Sequence, residues 1–176
     1  MTENTPRKNT LVIIQSYHHN NTEKIANVFA KVLDAQIKTP QQINPEELQE
    51  YTLIGFGSGI YDTKHHKTLL DLADKLPQVT NKKAFIFSTS GWTSYTAENH
   101  SPLREKLQSK GYMIVDEFSC AGFDTYGGNK EANLIEKLMG RINKRLGGIN
   151  KGRPNAEDLK HAEEFAKNLK QNLQKK

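Results

Sequence analysis

Residues 16–22 of this 176-residue chain read Ser-Tyr-His-His-Asn-Asn-Thr, a run of hydroxyl, imidazole and amide side chains bracketed by apolar sequence. Ser16, Asn20, Asn21 and Thr22 can cap a helix or hydrogen-bond the oxygens of a phosphate. His18 and His19 either add N–H donors to such an anion or line a wet loop. Before them, Leu11, Val12, Ile13 and Ile14 form a continuous apolar run of the kind a strand shows when helices cover both its faces. After them, Ile25, Ala26, Phe29, Val32 and Leu33 recur at helical spacing. The segment therefore reads as strand, loop and helix, with the loop where free backbone N–H groups and the helix dipole favour an anion. An ordinary capped turn has the same pattern.

The elements that must position this loop repeat its logic. A short strand is expected at 35–38. Apolar runs at 51–56, 83–88 and 112–120 each break into small polar and aromatic residues. The first break holds Gly57, Ser58, Gly59, Ile60 and Tyr61, and the second holds Thr89, Ser90, Gly91, Trp92 and Tyr95. Helices are expected at 67–75, from Pro102 in a first turn to a stop at Gly111, at 132–146, and at 156–173 behind an Asn155 cap. Strands alternating with helices predict a single α/β domain, an open five-stranded parallel sheet with helices on both faces, preceded by a flexible tail at 1–9. Ligands of such sheets bind beyond the carboxyl ends of the strands, which here places the loops 16–22, 57–64, 89–100 and 121–128 on one edge.

Composition excludes several classes. No apolar run approaches the roughly 18 residues of a membrane span, and the polar N-terminus lacks the core of a secretory signal, so a cytoplasmic protein is expected. Cys120 is the single cysteine, which rules out an internal disulfide framework or a cysteine-rich metal site. The net charge is +5, with the excess at 137–151 and near the C-terminus at Lys167, Lys170, Lys175 and Lys176. No aromatic residues interleave with these charges, so solvated helix faces are expected rather than a nucleic-acid surface. The doublets His18–His19 and His65–His66 lack an acidic partner at metal-motif spacing, so no metal site is expected. No G-x-S-x-G surrounds Ser88, Ser90 or Ser94, which argues against a hydrolase.

The hydroxyl- and amide-rich first loop, the Gly-rich FGSGIYDTKHHKTL and the aromatic-bearing FSTSGWTSYTAENHSPLREKL together resemble the flavodoxin family over about 11–173. The resemblance implies FMN, with its phosphate on the first loop and its ring between the second and third. Asn21 and Thr22 match the end of the family's Ser/Thr-x-Thr-Gly-Asn-Thr loop. Asn20 stands where glycine is usual, in a loop one residue longer, and Asn is the residue after glycine that best tolerates a left-handed backbone. Gly57 and Gly59 would bring the backbone close to the flavin edge. Tyr61, Trp92 and Tyr95 are the stacking candidates, Trp92 ahead of Tyr95 for its larger face. The implied function is electron transfer, as a carrier or a small flavin-dependent oxidoreductase; the alternative is an interaction module on the same fold with altered flavin binding. Carrier flavodoxins are usually acidic. This basic chain would call for an acidic redox partner, or for a quinone substrate with reduced nicotinamide as donor.

Overall fold

A computed structural model describes residues 8–17, 19–124 and 134–175. In chain order the elements are β1 (Lys8–Gln15), α1 (Asn21–Leu33), β2 (Ala35–Lys38), β3 (Tyr51–Tyr61), β4 (Lys64–His65), α2 (Lys67–Lys75), β5 (Lys82–Ser90), α3 (Thr96–Ser109), β6 (Tyr112–Ala121), α4 (Leu134–Arg145) and α5 (Ala156–Gln174). Five strands run parallel in the order β2-β1-β3-β5-β6, and the short β4 adds antiparallel to the end of β3. The chain winds outward from β1 in one direction to β2 and in the other to β3, β5 and β6. The connections therefore diverge between β1 and β3, the switch point at which open sheets bind ligands.

The continuous apolar runs are explained by two cores, one on each face. In β1, Leu11 and Ile13 point to the core shared with Leu69 of α2 and with Leu103 and Leu107 of α3, whereas Val12 and Ile14 point to the core shared with Phe29 of α1 and with Ala162 and Ala166 of α5. On the second face Phe29, Phe85, Phe87, Phe118 and Phe165 form an aromatic cluster, mostly edge-to-face or tilted.

Several boundaries differ from the sequence reading; β5, for one, runs through Thr89 and Ser90, which the sequence reading places in the loop. Lys8 and Asn9 belong to β1 rather than to a tail, because Lys8 pairs with Tyr51; the rest of the expected tail lies outside the described residues. Gly57, Ser58, Gly59, Ile60 and Tyr61 are strand, not loop: β3 runs on to Tyr61 and turns back through Asp62 and Thr63, both with positive φ, into β4. Positive φ at both central residues is what a two-residue hairpin turn demands. Pro102 lies inside α3, not in its first turn; Asn99, His100, Leu103 and Leu107 are buried around it, and that packing holds the helix despite the lost N–H. The helix expected at 132–146 is present as α4.

Candidate functional site

β1 ends at Gln15, and α1 begins only six residues later at Asn21. His19 (φ 53°) and Asn20 (φ 52°, ψ 30°) are both left-handed, so Asn20 adopts the backbone that glycine would otherwise supply. The Asn20 side chain is exposed and does not cap the helix. The N–H groups of the first helical turn therefore face the loop, as at any uncapped N-terminus. His18 lies outside the described residues; Ser16 is half-buried, Tyr17 is exposed, and the His19 ring lies 4.5 Å from that of Phe123.

Asn21 and Thr22, the pair that matches the family loop, point inward rather than out. Asn21 Nδ2 donates to the Phe123 carbonyl at 2.7 Å, and Thr22 Oγ1 lies 2.9 Å from Thr89 Oγ1. Their side chains stitch the first loop to the exits of β5 and β6. The stitching continues with Gly122 N donating to Ser90 O at 2.9 Å and Asn150 Nδ2 to Gly91 O at 2.8 Å. One atom is left over: Asn21 Oδ1 is buried with no partner among the described residues. It is an acceptor beneath the loop in want of a donor.

Against this floor stands an aromatic rim. Ser90 Oγ donates to the Trp92 carbonyl at 2.8 Å and shapes the turn that carries Trp92, which is 68% exposed, while Tyr95 is 61% exposed. Tyr17 is 59% exposed on the same edge. Tyr61 is half-buried; its ring covers Gly59, where a Cβ would meet the phenol oxygen at 3.0 Å. Burial, with Asp124 and Tyr17 adding to it, raises the Tyr61 pKa, so the phenol stays neutral. The expectation that Gly57 lets the backbone approach a ligand is corrected: its missing Cβ makes room for the Phe87 ring of the core.

Below the edge lies a polar cluster that sequence reasoning did not find. Ser58 Oγ accepts from His66 N at 2.9 Å and lies 2.9 Å from His65 Nδ1. The His65 ring is 4.9 Å from that of His100. His100 in turn lies 2.8 Å from Ser88 Oγ through Nε2 and 2.8 Å from Glu117 Oε2 through Nδ1. Burial, and then the neighbouring His100, hold the His65 pKa well below the ordinary range. Burial also lowers that of His100, against the pull of Glu117, so both rings are neutral at pH 7. Burial pushes the Glu117 carboxyl up, but hydrogen bonds from Arg104 and His100 outweigh it and the net shift is down. Ser88, His100 and Glu117 have the connectivity of a hydrolytic triad, yet Ser88 is 1% exposed and no carbonyl can reach it. Cys120 is also inert: burial pushes its thiol up to about 12. Among the described residues no group of three or more His, Cys, Asp or Glu side chains is placed to hold a metal ion. The His65–Ser58 and His100–Ser88 pairs join residues from different elements, so no local spacing announces them.

The model of the flavodoxin domain matches residues 12–142. A Methanocaldococcus jannaschii protein of uncharacterised function is 46% identical over 162 residues, spanning 92% of this chain and 98% of its own length. Among solved structures, oxidised flavodoxin 2 from Bacillus cereus superposes with a TM-score of 0.56 at 18% identity, covering 77% of this chain and 94% of that one. The flavodoxin of Streptococcus pneumoniae gives 0.54 at 13% identity with the same coverage. The Flv1 flavodiiron core from Synechocystis gives 0.52 at 16%, covering 89% of this chain and 37% of that one. At these identities the solved structures share the fold.

Proposed function

Because the chain belongs to the flavodoxin family, we propose that it holds FMN without a covalent bond at the carboxyl edge of its sheet and passes electrons there. The observation that carries this reading is the convergence of an uncapped helix N-terminus behind two left-handed residues with a rim of exposed aromatic rings. The phosphate fits the N–H groups of the first turn of α1, since a helix start receives an anion without a cationic side chain. Trp92 and Tyr95 offer faces for a flat ring system, and β3 from Ser58 to Tyr61 offers the opposite wall. The bound flavin would supply the redox chemistry; the protein orients it and sets its surroundings. No catalytic acid or base is assigned, because electron transfer requires none.

Purified protein that is yellow, or that quenches the fluorescence of added FMN at one-to-one stoichiometry, supports this reading. Trp92→Ala should then weaken FMN binding roughly ten-fold through lost stacking. The inward turn of Asn21 and Thr22 favours a second reading, in which the fold serves as an interaction module; a colourless protein that leaves FMN fluorescence unchanged selects it. Oxidation of NADPH with a quinone acceptor separates an enzyme from a carrier, whose partner on charge grounds would be acidic.

A further inference from the structure

α4 is unlike every other helix of the fold. Its described apolar side chains are exposed: Leu134 is 84% exposed, Leu138 55% and Ile142 43%, and Leu146 just beyond its end is 78% exposed. Among the described residues α4 makes no more than marginal contact with any other element. It is held at its exit, where Ile149 bridges to Asp124 and Asn150 bonds to the Gly91 carbonyl.

The same helix carries exposed Arg141, Lys144 and Arg145, none with an ion-pair partner among the described residues. At about 100° per residue, Leu134, Leu138 and Ile142 fall within roughly 80° of arc; Arg141 and Lys144 lie within about 80° to one side of it, and Arg145 falls inside it at the last turn. An exposed apolar stripe with fixed positive charge along one side and at its last turn matches a surface that is negative outside and oily beneath. We propose that α4 docks this protein on an anionic lipid surface, lying in the headgroup region with its leucines inserted. Size and charge both favour this occupant. A twelve-residue helix falls short of the roughly 20–30 residues a side of a stable protein interface. Pairing α4 with a second copy of itself would bring its cations together. The docking is peripheral, since no helix among the described residues is long and apolar enough to cross a membrane, and it stands whether or not the site takes flavin.

Co-sedimentation with vesicles tests this. Vesicles of phosphatidylserine mixed with phosphatidylcholine should pellet the protein, and pure phosphatidylcholine should not. Each basic residue at such a surface is worth about five-fold in affinity, so Arg141→Gln, Lys144→Gln and Arg145→Gln together should lower partitioning roughly 100-fold. Leu138→Asn with Ile142→Asn should release the protein at unchanged charge. Both variants should keep the wild-type melting temperature, because none of the five substituted residues belongs to either core. No binding to the anionic vesicles overturns the proposal, as does binding that both variants retain. A dimer in sedimentation velocity that Leu138→Asn abolishes would assign the stripe to a second copy and overturn it equally.

Discussion

A methyl group at Gly57 would sit 2.2 Å from Phe87 Cζ, and one at Gly55 2.3 Å from Phe85 Cζ. Each glycine is the cross-strand partner of the ring it accommodates, since Gly55 pairs with Phe85 and Gly57 with Phe87. Gly57→Ala should therefore cost about 1–3 kcal/mol through overpacking and lower the urea midpoint. Combining it with Phe87→Leu should recover part of the loss, because the two positions share one space. An unchanged midpoint in Gly57→Ala would mean that Phe87 moves aside freely. In the sequence, Gly57 opens what reads as a ligand loop, since its ring partner Phe87 lies thirty residues away and nothing local reveals it. Asn20 was legible for the opposite reason: its left-handed backbone follows from its own side chain and needs no distant neighbour.

The elements were legible where burial is two-sided or a cap is local. β2 stands at Ala35–Lys38 as its residues indicate, and α5 begins where Asn155 marks it. There the Asn155 side chain accepts from Glu157 N at 3.0 Å and Asp158 N at 3.1 Å, while Asp158 returns an acceptor to Asn155 N at 2.8 Å. Asn155→Ala should cost about 1 kcal/mol, read as a lower melting temperature, with Asn155→Ser retaining most of it. Equal losses in both variants would show that the side-chain acceptor is not what matters. Illegible were the extension of β3 and the true start of α3. Polar residues such as Ser58 and His65 resemble loop until they are seen bonded to each other, and Thr96 precedes a proline that usually opens a helix rather than interrupts it.

For the molecule as a whole, the buried histidines set a limit on the acid side. Both have folded pKa values below the unfolded value of about 6.5, so the unfolded chain takes up protons first as pH falls. Stability is full above about pH 6.5 and declines as pH drops toward the folded values, by up to about 1.4 kcal/mol at pH 5.5 for each histidine that stays neutral. Glu117, whose pKa is lowered by its partners, loses its contribution only below about pH 4.5, so the two effects separate. Thermal melts from pH 7.5 to 5 should show this slope, and His65→Gln should flatten it; an equal slope in that variant would place the titration elsewhere. The two-faced sheet was readable from its apolar runs, but this cluster was not, because it assembles from β3, β4, β5, α3 and β6. One further feature shapes what can be changed without harm. Asp124 and Ile149 meet as bridge partners, so two positions far apart in the chain lie side by side. Evolution or an engineer could shorten, lengthen or exchange what lies between those two positions while the sheet and its loops stay in register.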